Sequence, residues 1–374
     1  MRLVHTKDLT PGMIVGCDVI SEDGVILLAK GVCLSKSHIA TLQNLGITML
    51  YVDTEESNEI DNKKAARAYF IKEYIKTIGI IVNAFEDIKY FKEVPIFEMR
   101  ELADQRIKLL INTIGVLDYL QELRLYNGDT FQHSLNVAIL AGVLGKWLGY
   151  EKEKLKNLIL AGLLHDIGKL FVPLSILDKP HMLSSWEFEV IKKHPQEGYR
   201  LIADSNKVPE NVKLGILQHH ERMDKSGYPL GLEGDKIHDY AKIIAIADIY
   251  DAMTSDRPYR RRMTPLAVIE EISAQMYSKL DAALCLTFLN NVKNHFQGSD
   301  VILSNGQKAK IIILNENLWT KPIVCTADGR VIDLQDNEIS ILDLIEEGKI
   351  SGIDVQNARN SWVNKFFNFF GGCR

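Results

Sequence analysis

No apolar run in this sequence reaches the roughly 18–20 residues that a bilayer-spanning helix requires, so no transmembrane segment is expected. The first eight residues carry charge at Arg2, Lys7 and Asp8 and hold no apolar stretch, which argues against a secretory signal. Cysteine is scarce. Cys17, Cys33, Cys285, Cys325 and Cys373 are five, odd in number and widely scattered, with no C-x-x-C pair among them. Neither a disulfide framework nor a cysteine zinc site is expected, and a reducing cytoplasm is the expected compartment. Basic charge is not in surplus either: a net charge of −5 gives no general attraction to a polyanion, so no nucleic-acid polymer is expected as a partner. A small anionic substrate would need locally gathered cations or metal ions instead. Internal repeats and low-complexity tracts are also missing.

What is present reads as a folded protein of several domains. Hydrophobic residues at 46% and charged residues at 25% are values of a globular chain, and 374 residues exceed one ordinary core. Residues 1–60 read as a small α+β unit. Pro11-Gly12 marks a turn, strands are expected over 13–20, 25–29 and 47–52, and a helix follows Ser35 and ends at Gly46. The acidic stretch 53–61 reads as a solvated linker. Helical spacing then runs over 63–90, with Tyr69, Ile71, Tyr74, Ile75 and Ile78 on one side, so that 61–96 is expected as a helical connector. Pro95 interrupts it, and a second long helix is expected over 98–125.

The expected fold class is α+β, multidomain, with a central all-α bundle over 97–296. A small β domain is expected over 297–350, because Asn305-Gly306 and Asp328-Gly329 each sit between strand-like runs. A tail over 351–374 follows, rich in Trp362, Val363, Phe366, Phe367, Phe369 and Phe370. A docked or frayed tail is expected rather than a membrane contact, since the aromatic stretch 362–370 has only Lys365 within it and Arg374 beyond it as cations.

Of ten histidines, five stand where metals are often held: His133, His165, His194, His219 and His220. Asp166 adjoins His165, and Asp248 follows the apolar run Ile243-Ile244-Ala245-Ile246-Ala247. A carboxylate on such a helix is costly to bury unless it is paired or bound to a cation. Imidazole with carboxylate, and no thiolate, suits iron, manganese, zinc or nickel. One carboxylate bridging two ions could bring them close enough to activate a shared water. Each residue alone has an ordinary structural reading. A lone buried histidine is usually a hydrogen-bonded core residue, and His-His can be a solvated helix turn.

The ordered set is more specific. It comprises His133-Ser134-Leu135-Asn136-Val137-Ala138, Leu164-His165-Asp166-Ile167-Gly168-Lys169, Lys193-His194-Pro195 before Gly198-Tyr199, and His219-His220-Glu221-Arg222-Met223-Asp224. Gly227-Tyr228-Pro229, Asp248-Ile249-Tyr250-Asp251-Ala252-Met253-Thr254 and Arg257-Pro258-Tyr259-Arg260 complete it. In order and surroundings this resembles the HD-GYP family, a branch of the HD superfamily of metal-dependent phosphohydrolases, over residues 97–296.

The resemblance implies a helical bundle holding two or three divalent metal ions, iron or manganese first, zinc or nickel as alternatives. It implies a phosphodiesterase that opens cyclic di-GMP to the linear dinucleotide, GMP or both. Carried over residue by residue, the metal ligands are His133, His165, Asp166, His194, His219, His220 and Asp248, with Asp166 the bridge. Catalytic roles fall to Asp166 and Lys169. Substrate binding falls to Lys169, Gly227, Tyr228, Pro229, Arg257 and Arg260, the last two being family-like phosphate cations suited to bidentate contacts.

Asp129, four residues before His133, is the expected ligand of a third ion; Asp129 to Gln132 also reads as a helix cap. Lys225 stands where the family usually has glycine, which puts the local loop conformation in question. The N-terminal unit resembles a small domain that precedes some relatives and could serve a homodimer or a protein partner. Rival functions are hydrolysis of 3′3′-cyclic GMP-AMP and a non-catalytic receptor for cyclic di-GMP. A general HD nucleotidase is a third, against which the Gly-Tyr-Pro and Arg257–Arg260 segments argue.

Overall fold

Pro11-Gly12 makes the expected turn: Met13 N–H donates to the Thr10 carbonyl at 3.3 Å, with Gly12 at φ 101°, where a side chain would be strained. The structure is a computed structural model. It describes residues 2–345 apart from 18, 21–25, 29–31, 33, 54–55, 114, 124–129, 180, 256–261 and 316–317; the side chains of 2, 20, 26, 36–37, 53, 56–64 and 294–295 are outside it too. The expectations for Asp129, Arg257, Arg260 and the aromatic tail fall outside the described residues.

The chain divides between Tyr69 and Phe70 into two compact units. In the first, β1 (Arg2–His5), β5 (Met49–Asp53) and β2 (Ile14–Val15) form an antiparallel sheet in the order β1-β5-β2. A short hairpin, β3 (Val19–Ile20) and β4 (Ile26–Leu28), stands beside it in sequence, and helix α1 (Lys36–Asn44) is capped by Ser35. Val4, Val15, Leu34, Leu42, Leu50 and Val52 form its core. The pattern missed β1, whose four residues are too few to show alternation.

Helix α2 (Glu56–Phe91) takes in most of the stretch expected as an acidic linker. Acidic residue types are favoured at a helix N-terminus, so the same composition that reads as solvated also starts a helix. In the second unit, α3 (Ile96–Glu101) passes through a wide turn at Leu102–Ile107 into α4 (Lys108–Ile111), and α5 (Val116–Leu123) follows a break. One unbroken helix over 98–125 was expected. The break arises because the Asn112 and Thr113 side chains donate to the carbonyls of Lys108 and Leu109, and Gly115 turns the chain at φ 82°.

Helices α6 (Thr130–Trp147), α7 (Lys152–Leu164), α11 (Glu210–Gln218) and α12 (Asp239–Thr254) make the centre of the bundle. α6 is buried from Phe131 to Gly145 except at Gln132, which is why its sequence is apolar nearly all round. Around them lie α8 (Leu174–Leu177), α9 (Ser185–Ile191), α10 (His194–Ile202), α13 (Pro265–Gln275) and α14 (Ala282–Phe296).

The C-terminal strands β6 (Asp300–Leu303), β7 (Lys308–Asn315), β8 (Leu318–Thr326), β9 (Val331–Asp333) and β10 (Ile341–Leu344) form an antiparallel sheet ordered β10-β6-β7-β8-β9. Both Asn-Gly and Asp-Gly turns join hairpins as the sequence indicates. The sheet's buried face, Val301, Leu303, Ala309, Ile311 and Val324, belongs to the same apolar core as the helices. Thr320 is tied to α13 through the Glu270 carboxylate.

Candidate metal centre

His165 and His219 are the residues that close α7 and α11, and His194 opens α10 just after α9 ends. Each sits where helix carbonyls lack partners. The Nδ1–H of His165 donates to Gly162 O at 2.8 Å, that of His194 to Ile191 O at 2.8 Å, and that of His219 to Ile216 O at 2.7 Å. The same reach, three residues back, fixes all three rings with Nε2 turned inward and its lone pair available. His133, from the middle of α6, is held differently: its Nδ1 donates to Asp251 Oδ2 at 2.8 Å. Ligand histidines are commonly oriented through their second nitrogen in this way.

These rings converge on two carboxylates. Asp166 Oδ1 lies 3.1 Å from His194 Nε2 and 3.8 Å from His219 Nε2. Its Oδ2 lies 3.3 Å from His165 Nε2 and 3.4 Å from His133 Nε2. Asp248 also faces two ways, with Oδ1 3.1 Å from His133 Nε2 and Oδ2 3.9 Å from His220 Nδ1. Two groups of donors result: Asp166, His194, His219 and His220 in one, and His133, His165 and Asp248 in the other, with the donor atoms of each group within 4.8 Å of one another. His165 Nε2 and Asp166 Oδ1 are buried without a hydrogen-bond partner. Orphaned buried polar atoms are costly, and these two point into a nest of further donors. The donor set therefore fits divalent cations.

Charge in the cluster is organised to the same end. Burial and neighbouring histidines hold His219 well below the usual imidazole range, burial does so for His220 despite Asp248, and burial lowers His194. Those rings are neutral and ready to coordinate. Burial would lower His133 as well, but Asp166, Asp248 and Asp251 around it outweigh burial and push it up to about 10. Burial opposes ionisation of Asp166, yet His165, Lys169 and His133 hold its carboxyl well below the usual carboxylate range. Asp248 is likewise held low, chiefly by His133 against the cost of burial.

Lys169, expected at a substrate phosphate, places its ammonium 2.6 Å from Asp166 Oδ2. Gly168 is required beside it, since a Cβ there would run into the His194 carbonyl and the Gly198 amide. Tyr228 stacks on His220 with ring centroids 4.6 Å apart, and burial raises its hydroxyl above the usual range. Gly227 lets the loop lie against the backbone of His220 to Arg222. Pro229 follows in the same loop. Lys225 takes φ 68°, the left-handed conformation that glycine adopts without strain.

Two buried carboxylates had been given no role. Asp251 orients His133 and accepts a second bond from Asn136 Nδ2 at 2.9 Å. Glu221 accepts from the Leu230 and Leu232 amides at 2.6 and 2.9 Å, pinning the loop that carries Tyr228. The available signal was an acidic residue within an otherwise apolar or histidine-rich stretch. Gln132, proposed to close a helix cap, donates its amide to Leu123 O at 3.3 Å.

Residues 119–284 match the HD domain family. The chain carries an HD domain. Its matched region contains both donor groups and the Gly227-Tyr228-Pro229 loop. The chain is 32% identical over 232 residues to the cyclic di-GMP phosphodiesterase PA4108 of Pseudomonas aeruginosa, covering 62% of this chain and 56% of that protein. It is 39% identical over 178 residues to the cyclic di-GMP phosphodiesterase response regulator RpfG of Xanthomonas campestris, covering 47% and 46%. It is also 34% identical over 207 residues to 3′3′-cGAMP-specific phosphodiesterase 1 of Vibrio cholerae, covering 54% and 46%. The chain thus spans about half the length of the curated relatives it matches. Among the described residues no helix is long and apolar enough to cross a membrane.

Proposed function

We propose that the chain is a metal-dependent phosphodiesterase that hydrolyses a cyclic dinucleotide, cyclic di-GMP first and 3′3′-cyclic GMP-AMP as the alternative. The observation that carries this reading is Asp166: one oxygen faces each donor group, and Oδ1 is a buried acceptor with no partner. A site built only to bind a nucleotide has no need of such a bridge. The names of the relatives supply the substrate class, and they divide between the two dinucleotides.

His133, His165 and Asp248 would hold one ion and His194, His219 and His220 the other, with Asp166 shared. Divalent cations there would neutralise the phosphodiester and acidify a water. Imidazole and carboxylate without thiolate favour iron or manganese, with zinc or nickel as alternatives. Hydrolysis adds the oxygen of water to phosphorus, while the ribose oxygen leaves and takes a proton, opening the ring. Once cations neutralise Asp166, Lys169 loses its counter-charge there and is free to meet a phosphate oxygen. Arg257 and Arg260 are proposed as further phosphate contacts, and Tyr228 as a wall of the site beside His220.

Turnover of a panel of cyclic dinucleotides by protein of known metal content tests the proposal. Cleavage of cyclic GMP-AMP with cyclic di-GMP inert would reverse the substrate order. Binding of cyclic di-GMP without turnover, at full metal loading, would replace the enzyme by a receptor. A third ion through Asp129 is proposed as well: Asp129→Asn should lower the metal count per chain by one, and equal counts of two in both proteins would reject it.

A further inference from the structure

We infer that Tyr74, which lies outside the matched HD domain, is a positioning residue for the metal centre, acting on His133 through Asn136 and Asp251. The inference rests on the metal reading of the site. Tyr74 is on α2, 3% exposed, and its hydroxyl donates to Asn136 Oδ1 at 2.6 Å. Asn136 Nδ2 donates to Asp251 Oδ1 at 2.9 Å, and Asp251 Oδ2 accepts from His133 Nδ1 at 2.8 Å. Asn136 and Asp251 are 2% and 1% exposed, so water cannot substitute for any member.

The direction of each bond follows from chemistry. An ionised carboxylate only accepts, so Asn136 must turn its NH₂ toward Asp251. That leaves the amide oxygen facing Tyr74, which must donate. The Tyr74 and Asn136 donors thus both point toward Asp251, which accepts the His133 Nδ1–H from the other side, and that third bond turns His133 Nε2 toward Asp166 and Asp248. Without the Tyr74 hydroxyl the Asn136 amide loses the partner that fixes its orientation, and the bond it donates to Asp251 Oδ1 is no longer held in place. Phe70 stacks on the Tyr74 ring at 5.9 Å, so the ring itself is anchored independently of the hydroxyl.

The plain alternative is that Tyr74 only satisfies a buried amide and contributes to folding. Manganese(II) affinity of the full chain, read by chelator competition, separates the two. Tyr74→Phe should weaken manganese binding about tenfold, at the lower end of outer-shell effects on metal affinity. In an Asp251→Asn background the same change should have no further effect, because the path to His133 is already cut. Affinity within about twofold of wild type, or an equal loss in both backgrounds, would overturn the inference; the melting temperature of chelated protein records any purely structural cost separately. Should Tyr74→Phe fold poorly, Asn136→Ala breaks the same path one residue nearer and must show the same loss and the same dependence on Asp251. A wild-type chain that binds no manganese would sink the metal reading itself, a result distinct from a variant that behaves as wild type.

Discussion

Lys169 Nζ lies 2.6 Å from Asp166 Oδ2, the same oxygen that faces His133 and His165. One carboxylate oxygen thus serves a fixed ammonium and a potential cation site, and the two compete for it. Replacing the lysine removes the competitor and the proposed phosphate donor together. Lys169→Met should retain metal at or above the wild-type level while turnover falls about 10²–10³-fold, the usual effect of losing one strong transition-state donor. Elemental analysis beside steady-state kinetics checks it; loss of metal in this variant would assign Lys169 to the scaffold.

Metal binding should release protons, and His133 is the expected source. Its pKa is raised from the usual imidazole range to about 10 by the carboxylates around it, so metal-free folded protein holds that proton at neutral pH. The sign follows. The raised pKa stabilises the metal-free fold fully below the unfolded value, and that contribution disappears as pH rises through 10. A cation on Nε2 must displace the proton, so apparent affinity should climb about tenfold per pH unit between pH 7 and 9. Calorimetry in buffers of different ionisation enthalpy would count about one proton released per chain at neutral pH. No release would mean that His133 binds no metal.

Asp166→Asn should cost both donor groups their shared ligand. An amide cannot offer two anionic oxygens, and it leaves the surrounding histidines without the charge that favours a cation. Metal per chain should fall toward zero and turnover should drop by at least about 10²-fold. Full metal content in this variant would separate the two groups and dismiss the bridge.

Lys225 adopts φ 68° with an exposed side chain that reaches Glu233 at 3.2 Å. A left-handed non-glycine residue carries a strain of about 1–2 kcal/mol, while glycine costs some entropy and loses a surface ion pair of little worth. Lys225→Gly should therefore stabilise the protein by about 0.5–1 kcal/mol in denaturant titration. A destabilised variant would show that the Glu233 contact outweighs the strain.

The parts of the molecule legible in sequence were those written in local pattern. Ser35 and Gly46 bounded a helix, Asn305-Gly306 and Asp328-Gly329 marked hairpins, and the histidines lay in ordered motifs. What the sequence concealed depends on distance along the chain. Nothing near Tyr74 announces Asn136, and nothing near Asp251 announces His133, because these partners meet only when α2, α6 and α12 pack. The break at Asn112–Gly115 was hidden for another reason: apolar spacing on either side continues as if one helix ran through. The acidic start of α2 shows that composition alone does not distinguish a solvated linker from a helix N-terminus.

Gly168 offers a test of how tightly the centre is built. It sits in the turn Ile167–Phe171, directly after Asp166, and packs on the first turn of α10. The atoms nearest an added Cβ are all backbone, the His194 carbonyl and the Gly198 amide, so no side chain can rotate away. Gly168→Ala must push the turn and α10 apart, and these carry Asp166 and His194, whose atoms now meet at 3.1 Å. Overpacking of this kind costs about 1–3 kcal/mol, and metal affinity should fall with it because one donor group is pulled open. Gly79→Ala is the control. It lies within α2 with nothing inside 4 Å of the new Cβ, so the same substitution should stabilise by about 0.5–1 kcal/mol with metal content unchanged. Opposite signs for one chemical change would tie the loss to the contact with His194. Gly168→Ala with wild-type stability and metal content would show that the turn yields without disturbing the ligands.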